Sequence, residues 1–211
     1  MLAEFPMSEI FESINGETSL AGYPALFLRF AGCNLRCSWC DTERAYEPSF
    51  FLPFEAVLCE TQASKQPFVV LTGGEPLLQS QLKDLISAIL KHTNKRIVLE
   101  TNGSLSLEAI HPQVHISMDC KTPSSLQHDH CLFSNFDLLK RTDDVKFVVG
   151  SRADYEYSKE IMGKYSLRHR VNIVFQSVYG TLDNQMLANW ILEDGLDARF
   201  SIQLHKHIGL K

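Results

Sequence analysis

The chain has no run approaching the roughly 18 apolar residues of a membrane-spanning helix. It also has no internal repeat, no Gly/Ser-rich linker and no long block of like charge. Its opening residues, Met1-Leu2-Ala3-Glu4-Phe5-Pro6, place an acid and a proline where a secretion signal needs a basic and then an apolar stretch. These absences make a cytoplasmic protein the expectation, with no membrane partner. An excess of positive charge is missing too: 20 basic residues face 25 acidic ones, for a formal charge of −5. Generic nucleic-acid binding needs a cationic field and is disfavoured. Six cysteines are too few to frame 211 residues with disulfides. In a reducing compartment, clustered cysteines bind metal or carry redox chemistry.

The remaining composition, 45% hydrophobic and 21% charged, is that of an ordinary globular protein. We read one domain over residues 1–211. Short segments rich in Val, Ile, Leu and Phe predict strands at Ala25–Ala31, Phe68–Thr72, Arg96–Thr101, Val114–Asp119, Val145–Gly150, Val171–Gln176 and Arg199–Leu204. Helices are predicted at Phe54–Ser64, Gln79–His92, Tyr155–Tyr165 and Asn184–Leu192. The second carries Leu82, Leu85, Ile86, Ile89 and Leu90 on one face. Thr122–Phe136 lacks periodicity and reads as a loop with a short turn. Strands alternating with helices give the α/β class and a parallel sheet. A complete eight-fold barrel takes around 250 residues, so a partial, trimmed parallel β/α barrel is expected.

The unusual polar residues follow the predicted strands. Cys33, Cys37 and Cys40 come after the first, Gly73-Gly74-Glu75 after the second, and Thr101-Asn102-Gly103 ends the third. Lys121 follows the fourth, Gln176 ends the sixth, and His205 follows the seventh. The carboxyl ends of parallel strands form the ligand-binding rim of such folds, so these groups should surround one pocket.

The segment Cys33-Asn34-Leu35-Arg36-Cys37-Ser38-Trp39-Cys40 has the spacing C-x3-C-x2-C. Thiolates are soft ligands for zinc or iron–sulfur clusters. Three of them can hold three irons of a [4Fe–4S] cluster and leave the fourth open for a substrate. The competing reading is a structural zinc site with Cys59, Cys120, Cys131 or a histidine as fourth ligand. Structural zinc more often shows two C-x2-C pairs, and here there is one triplet.

Taken with Gly73-Gly74-Glu75-Pro76 after the second strand, the triplet resembles the radical S-adenosylmethionine superfamily. Phe11–Glu17, Phe27–Leu35, Cys40-Asp41-Thr42, Glu100–Gly103 and Leu204-His205-Lys206 narrow the resemblance to the 7-carboxy-7-deazaguanine synthases, over residues 7–211. It implies a radical-SAM-type partial barrel and a radical ring contraction. In that reaction 6-carboxy-5,6,7,8-tetrahydropterin becomes 7-carboxy-7-deazaguanine with loss of ammonia, in queuosine or archaeosine (7-deazapurine) biosynthesis. The implied cofactors are a [4Fe–4S] cluster on Cys33, Cys37 and Cys40, S-adenosylmethionine and Mg2+. The implied partners are an electron donor such as flavodoxin or ferredoxin and a second copy of the chain.

The resemblance also implies individual roles. Gly74, Glu75, Thr101, Asn102, Ser117, Lys121 and Gln176 would bind the cofactor, with Glu75 accepting from its ammonium. Ile14, Asn15, Gly16, Glu17, Arg29, Thr72, His205 and the terminal carboxylate of Lys211 would bind substrate. Thr42 would give its hydroxyl to Mg2+, although Asp41 is the more obvious ligand by chemistry. Arg29 shares a strand face with Phe27, and a buried arginine needs an anion. Asn15 stands where relatives commonly have glutamine, one methylene longer. Each residue also has a plainer reading: a Gly-Gly turn, an Asn-Gly turn with a solvated acid, an edge-strand arginine, a threonine cap, a polar tail. Cys59, Cys120 and Cys131 read as packing residues. Trp39 would shield the cluster, and Trp190 would lie in the core or an interface. Two further readings stay open: a radical activase of a glycyl-radical protein, and a non-catalytic zinc or iron–sulfur module.

Overall fold

A computed structural model describes residues 4–210. The chain begins with a long strand β1 (Glu4–Ile14), antiparallel to β2 (Pro24–Phe30) on one side and to the short edge strand β3 (Phe50–Pro53) on the other. From β2 onward the strands run parallel: β4 (Phe68–Gly73), β5 (Arg96–Thr101), β6 (His115–Asp119), β7 (Asp144–Val149), β8 (Asn172–Ser177) and β9 (Arg199–Ser201). Among the described residues the sheet has nine strands in the order β3-β1-β2-β4-β5-β6-β7-β8-β9. The outer helices are α1 (Phe54–Ala63), α2 (Leu82–His92), α3 (Arg152–Lys164) and α4 (Asn184–Glu193), and α5 (Leu204–Ile208) follows the last strand. This is the expected partial parallel barrel, with an antiparallel margin that the sequence reading left out.

The differences have local causes. β1 carries Pro6, which is confined to edges and bulges, and its register with β2 shifts between Met7 and Glu9, so its alternation is broken. α2 starts at Leu82 instead of Gln79 because residues 76–78 form a separate 3-10 turn. α3 starts three residues early because the Ser151 side chain accepts from Asp154 N and caps it. The last strand stops at Ser201, and Leu204 opens a helix. Residues 122–137 hold three short 3-10 turns in place of one.

The parallel strands are buried on both faces. Leu26, Leu28, Val69, Leu71, Ile97 and Leu99 point outward into the main core with Leu85, Ile86 and Ile89 of α2. Phe27, Val70 and Val98 point inward and form a smaller apolar layer. Two residues further along each strand the same inward face becomes polar, with Arg29 opposite Thr72 and Glu100 opposite Ser117. Further round, Asp119 lies opposite Lys146 and Gln176 opposite Val148. The apolar layer is thus the floor of a cavity whose walls are charged.

Candidate active site

The cysteine loop leaves β2 through Gly32, whose φ of +93° suits glycine. Backbone contacts hold it: Gly32 N donates to Ala45 O at 2.8 Å, and Glu75 N donates to Gly32 O at 2.8 Å. A Cβ on Gly74 would lie 2.3 Å from Gly32 O and 2.7 Å from Cys33 Cβ, and one on Gly73 would lie 2.2 Å from Phe30 O. The glycine pair is therefore required by the chain's own close approach, and it braces the cysteine loop. From the other side, Ser38 N donates to Ser125 O at 3.1 Å and Trp39 Nε1 to Ser124 Oγ at 3.1 Å. Lys121 Nζ lies 5.2 Å above the Trp39 ring.

Glu75 is fully buried. Its carboxylate accepts from Leu77 N at 3.0 Å, Thr101 Oγ1 at 2.9 Å and Asn102 N at 2.7 Å. Burial pushes its carboxyl up to about 7, against those three hydrogen bonds, which favour the ionised form. Glu75 does not line the cavity. It ties the end of β4 to the end of β5 through these three hydrogen bonds. Asn102 faces the cysteine loop: its Nδ2 donates to Asn34 Oδ1 at 3.0 Å and reaches Cys33 Sγ at 3.9 Å.

A partly buried charge network occupies the opposite wall. Lys146 Nζ contacts Glu17 Oε2 at 2.5 Å and Asp119 Oδ1 at 3.1 Å, and Lys121 Nζ contacts Asp119 Oδ2 at 2.8 Å. Burial disfavours the Lys146 ammonium, but Asp119, Glu17 and Glu100 hold its pKa well above the usual lysine value. Burial works against the Glu17 carboxylate as well, and Lys146 outweighs it, so its pKa is lowered. Burial raises Glu100, against the pull of Lys146. Glu17 Oε1 also accepts from Gln203 Nε2 at 2.9 Å and Gln176 Nε2 at 3.3 Å. Arg29 Nε pairs with Glu9 Oε2 at 3.1 Å, so the anion this half-buried arginine requires is already supplied in part by β1.

The segment after β9 crosses the mouth. Leu204 N donates to Gly16 O at 2.9 Å, and His205 packs on Gly16. Burial lowers the His205 pKa, so its ring is neutral at pH 7. Asp41 Oδ2 accepts from Lys206 Nζ at 2.9 Å and Gln203 Nε2 at 3.0 Å, while Oδ1 accepts from Thr42 Oγ1 at 2.9 Å. Burial pushes the Asp41 carboxyl up, yet these three donors bring it far below its ordinary value. Asp41 is thus occupied, whereas Thr42 spends its proton on Asp41 and keeps its oxygen lone pairs for a cation. Asn15 Oδ1 accepts from Glu17 N at 3.3 Å and shapes its own loop.

All these walls enclose one cavity of about 580 Å³. Cys33, Cys37, Cys40, Thr42, Gly74, Thr101, Asn102, Ser117, Lys121 and Gln176 line it. So do Ile14, Asn15, Gly16, Glu17, Arg29, Thr72 and His205. Glu75 lies behind it, and Lys211 lies outside the described residues. Sequence reasoning assigned no role to Lys146, Glu100 or Gln203, which also line the cavity. Lys146 left a signal: a lysine inside the apolar run Val145–Val149, on the one predicted strand to which no functional residue was assigned.

The residues present fit a cluster with a chelated cofactor. Among the described residues no three His, Cys, Asp or Glu side chains converge closely enough for a single metal ion, whereas a four-iron cluster gives each cysteine its own iron. Cys59 is exposed on α1, and Cys120 faces Cys131 at 3.8 Å, so the fourth ligand of the zinc reading is missing from these candidates. Leu35 N points at Cys33 Sγ at 3.5 Å, a donor that suits a thiolate. Gln176 Oε1 is buried in the cavity wall with no hydrogen-bond partner, an acceptor available to a ligand.

Fold and site define the class as a radical S-adenosylmethionine protein, and the family model described as the Radical SAM superfamily matches residues 28–180. The 7-carboxy-7-deazaguanine synthase of Chlorobaculum tepidum is 39% identical over 99% of this chain and 96% of its own. That of Methanospirillum hungatei is 39% identical over 97% of this chain and 85% of its own. The crystal structure of QueE from Escherichia coli has the same fold, with a TM-score of 0.71 over 96% of this chain and 95% of that one at 21% identity. The chain belongs to the 7-carboxy-7-deazaguanine synthase family.

Proposed function

We propose that the protein converts 6-carboxy-5,6,7,8-tetrahydropterin to 7-carboxy-7-deazaguanine and ammonia, using a [4Fe–4S] cluster, S-adenosylmethionine and Mg2+. One observation carries this reading: the cysteine triplet opens onto the same cavity as Arg29, Thr42, Glu17 and His205. Cys33, Cys37 and Cys40 would hold the cluster, and Gly74, Thr101, Asn102, Ser117, Lys121 and Gln176 would surround S-adenosylmethionine. When bound and reduced, these groups would supply the radical chemistry for removing a hydrogen atom from C6 of the substrate.

The chain's own residues bind, orient and exclude water. Arg29 offers its guanidinium to the substrate carboxylate, in a site that already carries Glu9. Ionised Glu17, held by Lys146, accepts from pterin N–H groups. Neutral His205 covers the substrate from the mouth, next to Gly16. Thr42 gives Mg2+ an oxygen ligand, the type this hard cation prefers. The apolar floor of Phe27, Val70 and Val98 keeps bulk water from the reacting face. Glu75 braces the strand ends beside the S-adenosylmethionine site, where it would accept from the cofactor's ammonium.

A single radical SAM core domain, a flavodoxin- or ferredoxin-type electron donor, a cytoplasmic location and a homodimer complete the proposal. No helix among the described residues is long and apolar enough to cross a membrane. An anaerobic assay tests the reading, with reconstituted protein, dithionite, S-adenosylmethionine, Mg2+ and the carboxytetrahydropterin. Mass spectrometry should find 7-carboxy-7-deazaguanine. Formation of 5′-deoxyadenosine without that product would overturn the substrate and leave the superfamily chemistry.

A further inference from the structure

We propose that Cys120 and Cys131 form a reversible disulfide, a modification site apart from the cysteine triplet, made by exchange with a small-molecule disulfide such as oxidised glutathione. The two sulfurs lie 3.8 Å apart and both thiols are free. A disulfide needs about 2.05 Å, so the sulfurs must close by about 1.8 Å, a shift that side-chain rotation and a small loop movement supply.

The fold holds the two thiols opposite each other. Cys120 follows β6 and donates its N–H to Lys146 O at 2.9 Å. Leu132, next to Cys131, donates its N–H to Gly103 O at 2.9 Å. Both ends of the intervening loop are therefore fastened to the sheet rim. That loop seats the cysteine triplet through Ser124 and Ser125. A bond between its ends would turn the seat into a closed ring.

The exposures set the order of events. Cys131 is half-buried and Cys120 is 1% exposed. The Cys131 contact and burial together hold the Cys120 thiol protonated. Cys131 thiolate therefore attacks first, forming a mixed disulfide with one glutathione and expelling the other as its thiolate. Cys120 then gives up its proton to that thiolate or to water, attacks the Cys131 sulfur and releases the second glutathione. Two protein thiols are oxidised by two electrons, and one oxidised glutathione is reduced to two thiols. The protonated Cys120 makes the second step the slow one, and excess reduced glutathione reverses the sequence. Cys59, exposed and alone on α1, can only stop at a mixed disulfide.

The test is a peptide map of cluster-loaded protein treated anaerobically with oxidised glutathione, alkylated, and digested with trypsin without reduction. Cleavage after Lys121 puts Cys120 in peptide 97–121 and Cys131 in peptide 122–140, while Cys59 lies in peptide 45–65. The expected result is peptides 97–121 and 122–140 joined, two hydrogens lighter than their sum and separated by reductant, with glutathione on Cys59. In Cys120→Ala, Cys131 should keep its glutathione. The oxidised wild type should melt a few degrees above the reduced protein. Alkylated Cys120 and Cys131 beside glutathionylated Cys59 would overturn the proposal, as would glutathione persisting on Cys131 in the wild type. The map reads peptide masses alone, so it stands whatever the substrate assay gives.

Discussion

A Cβ on Gly16 would lie 2.0 Å from His205 Nδ1, so the ring of His205 and the loop at Gly16 occupy one surface that only glycine leaves open. Gly16→Ala must push the ring off the cavity mouth or tilt the loop that carries Glu17. We expect kcat/KM to fall about tenfold or more, each tenfold being about 1.4 kcal/mol. The unfolding temperature should stay within a few degrees of wild type. Steady-state kinetics and a melting curve check the pair of outcomes, and unchanged kcat/KM would remove His205 from the substrate site.

Lys146→Met should strike substrate binding. Removing one partner of a largely buried pair leaves the other charge uncompensated, and here Glu17 and Asp119 both lose contact with one cation. With Lys146 gone, burial raises the Glu17 carboxyl, so the variant's KM should worsen as pH falls while the wild type stays flat. In a denaturant melt, the double variant with Glu17→Gln should be no less stable than the single one, because the uncompensated charge is gone. Additive losses would sink this account.

Glu75 gives stability a pH signature. Its folded pKa, about 7, stands above the ordinary carboxyl value of 4.5. The folded state then holds a proton that the unfolded state has released, so this contribution is complete below about pH 4.5 and is lost as pH rises to about 7. The span corresponds to about 3 kcal/mol. Glu75→Gln should lack this slope. It should also be less stable at pH 8 by about 1–3 kcal/mol, because an amide donor meets backbone donors. Denaturant melts of both proteins from pH 4.5 to 8 test this, and parallel curves would refute it.

Thr42→Val should weaken Mg2+ dependence specifically. The hydroxyl is lost, while Asp41 keeps its bonds to Lys206 and Gln203. Chelation should stop turnover in both proteins. Added Mg2+ should restore the wild type at a concentration about tenfold lower than the variant needs, for a single lost oxygen ligand. Equal Mg2+ titrations would return Thr42 to the role of a turn residue.

The seven parallel strands were legible because burial on both faces writes them as apolar runs, as in Phe68–Thr72. β1 was not legible, since Pro6 and the shift at Met7/Glu9 break its pattern. The rim residues were legible because they follow strand ends. Glu75 was legible along the chain but its burial was not: that depends on Thr101 and Asn102, 26 and 27 positions away. Lys146 and Gln203 were missed because their meaning lies in Glu17, to which no local pattern ties them. A lysine in the middle of a buried strand was the available signal.

Glu17 is held from three directions: Lys146 on β7, Gln176 on β8 and Gln203 after β9. The last of these lies 186 positions downstream of it. The contacts that hold the cysteine loop and its glycine brace all lie between Phe30 and Ser125, far ahead of the residues that complete the substrate wall. Until residues 203–206 emerge and cross the mouth, Gly16 is uncovered and Asp41 lacks two of its three donors. The wall that faces the substrate is therefore the last part of the site that synthesis can complete.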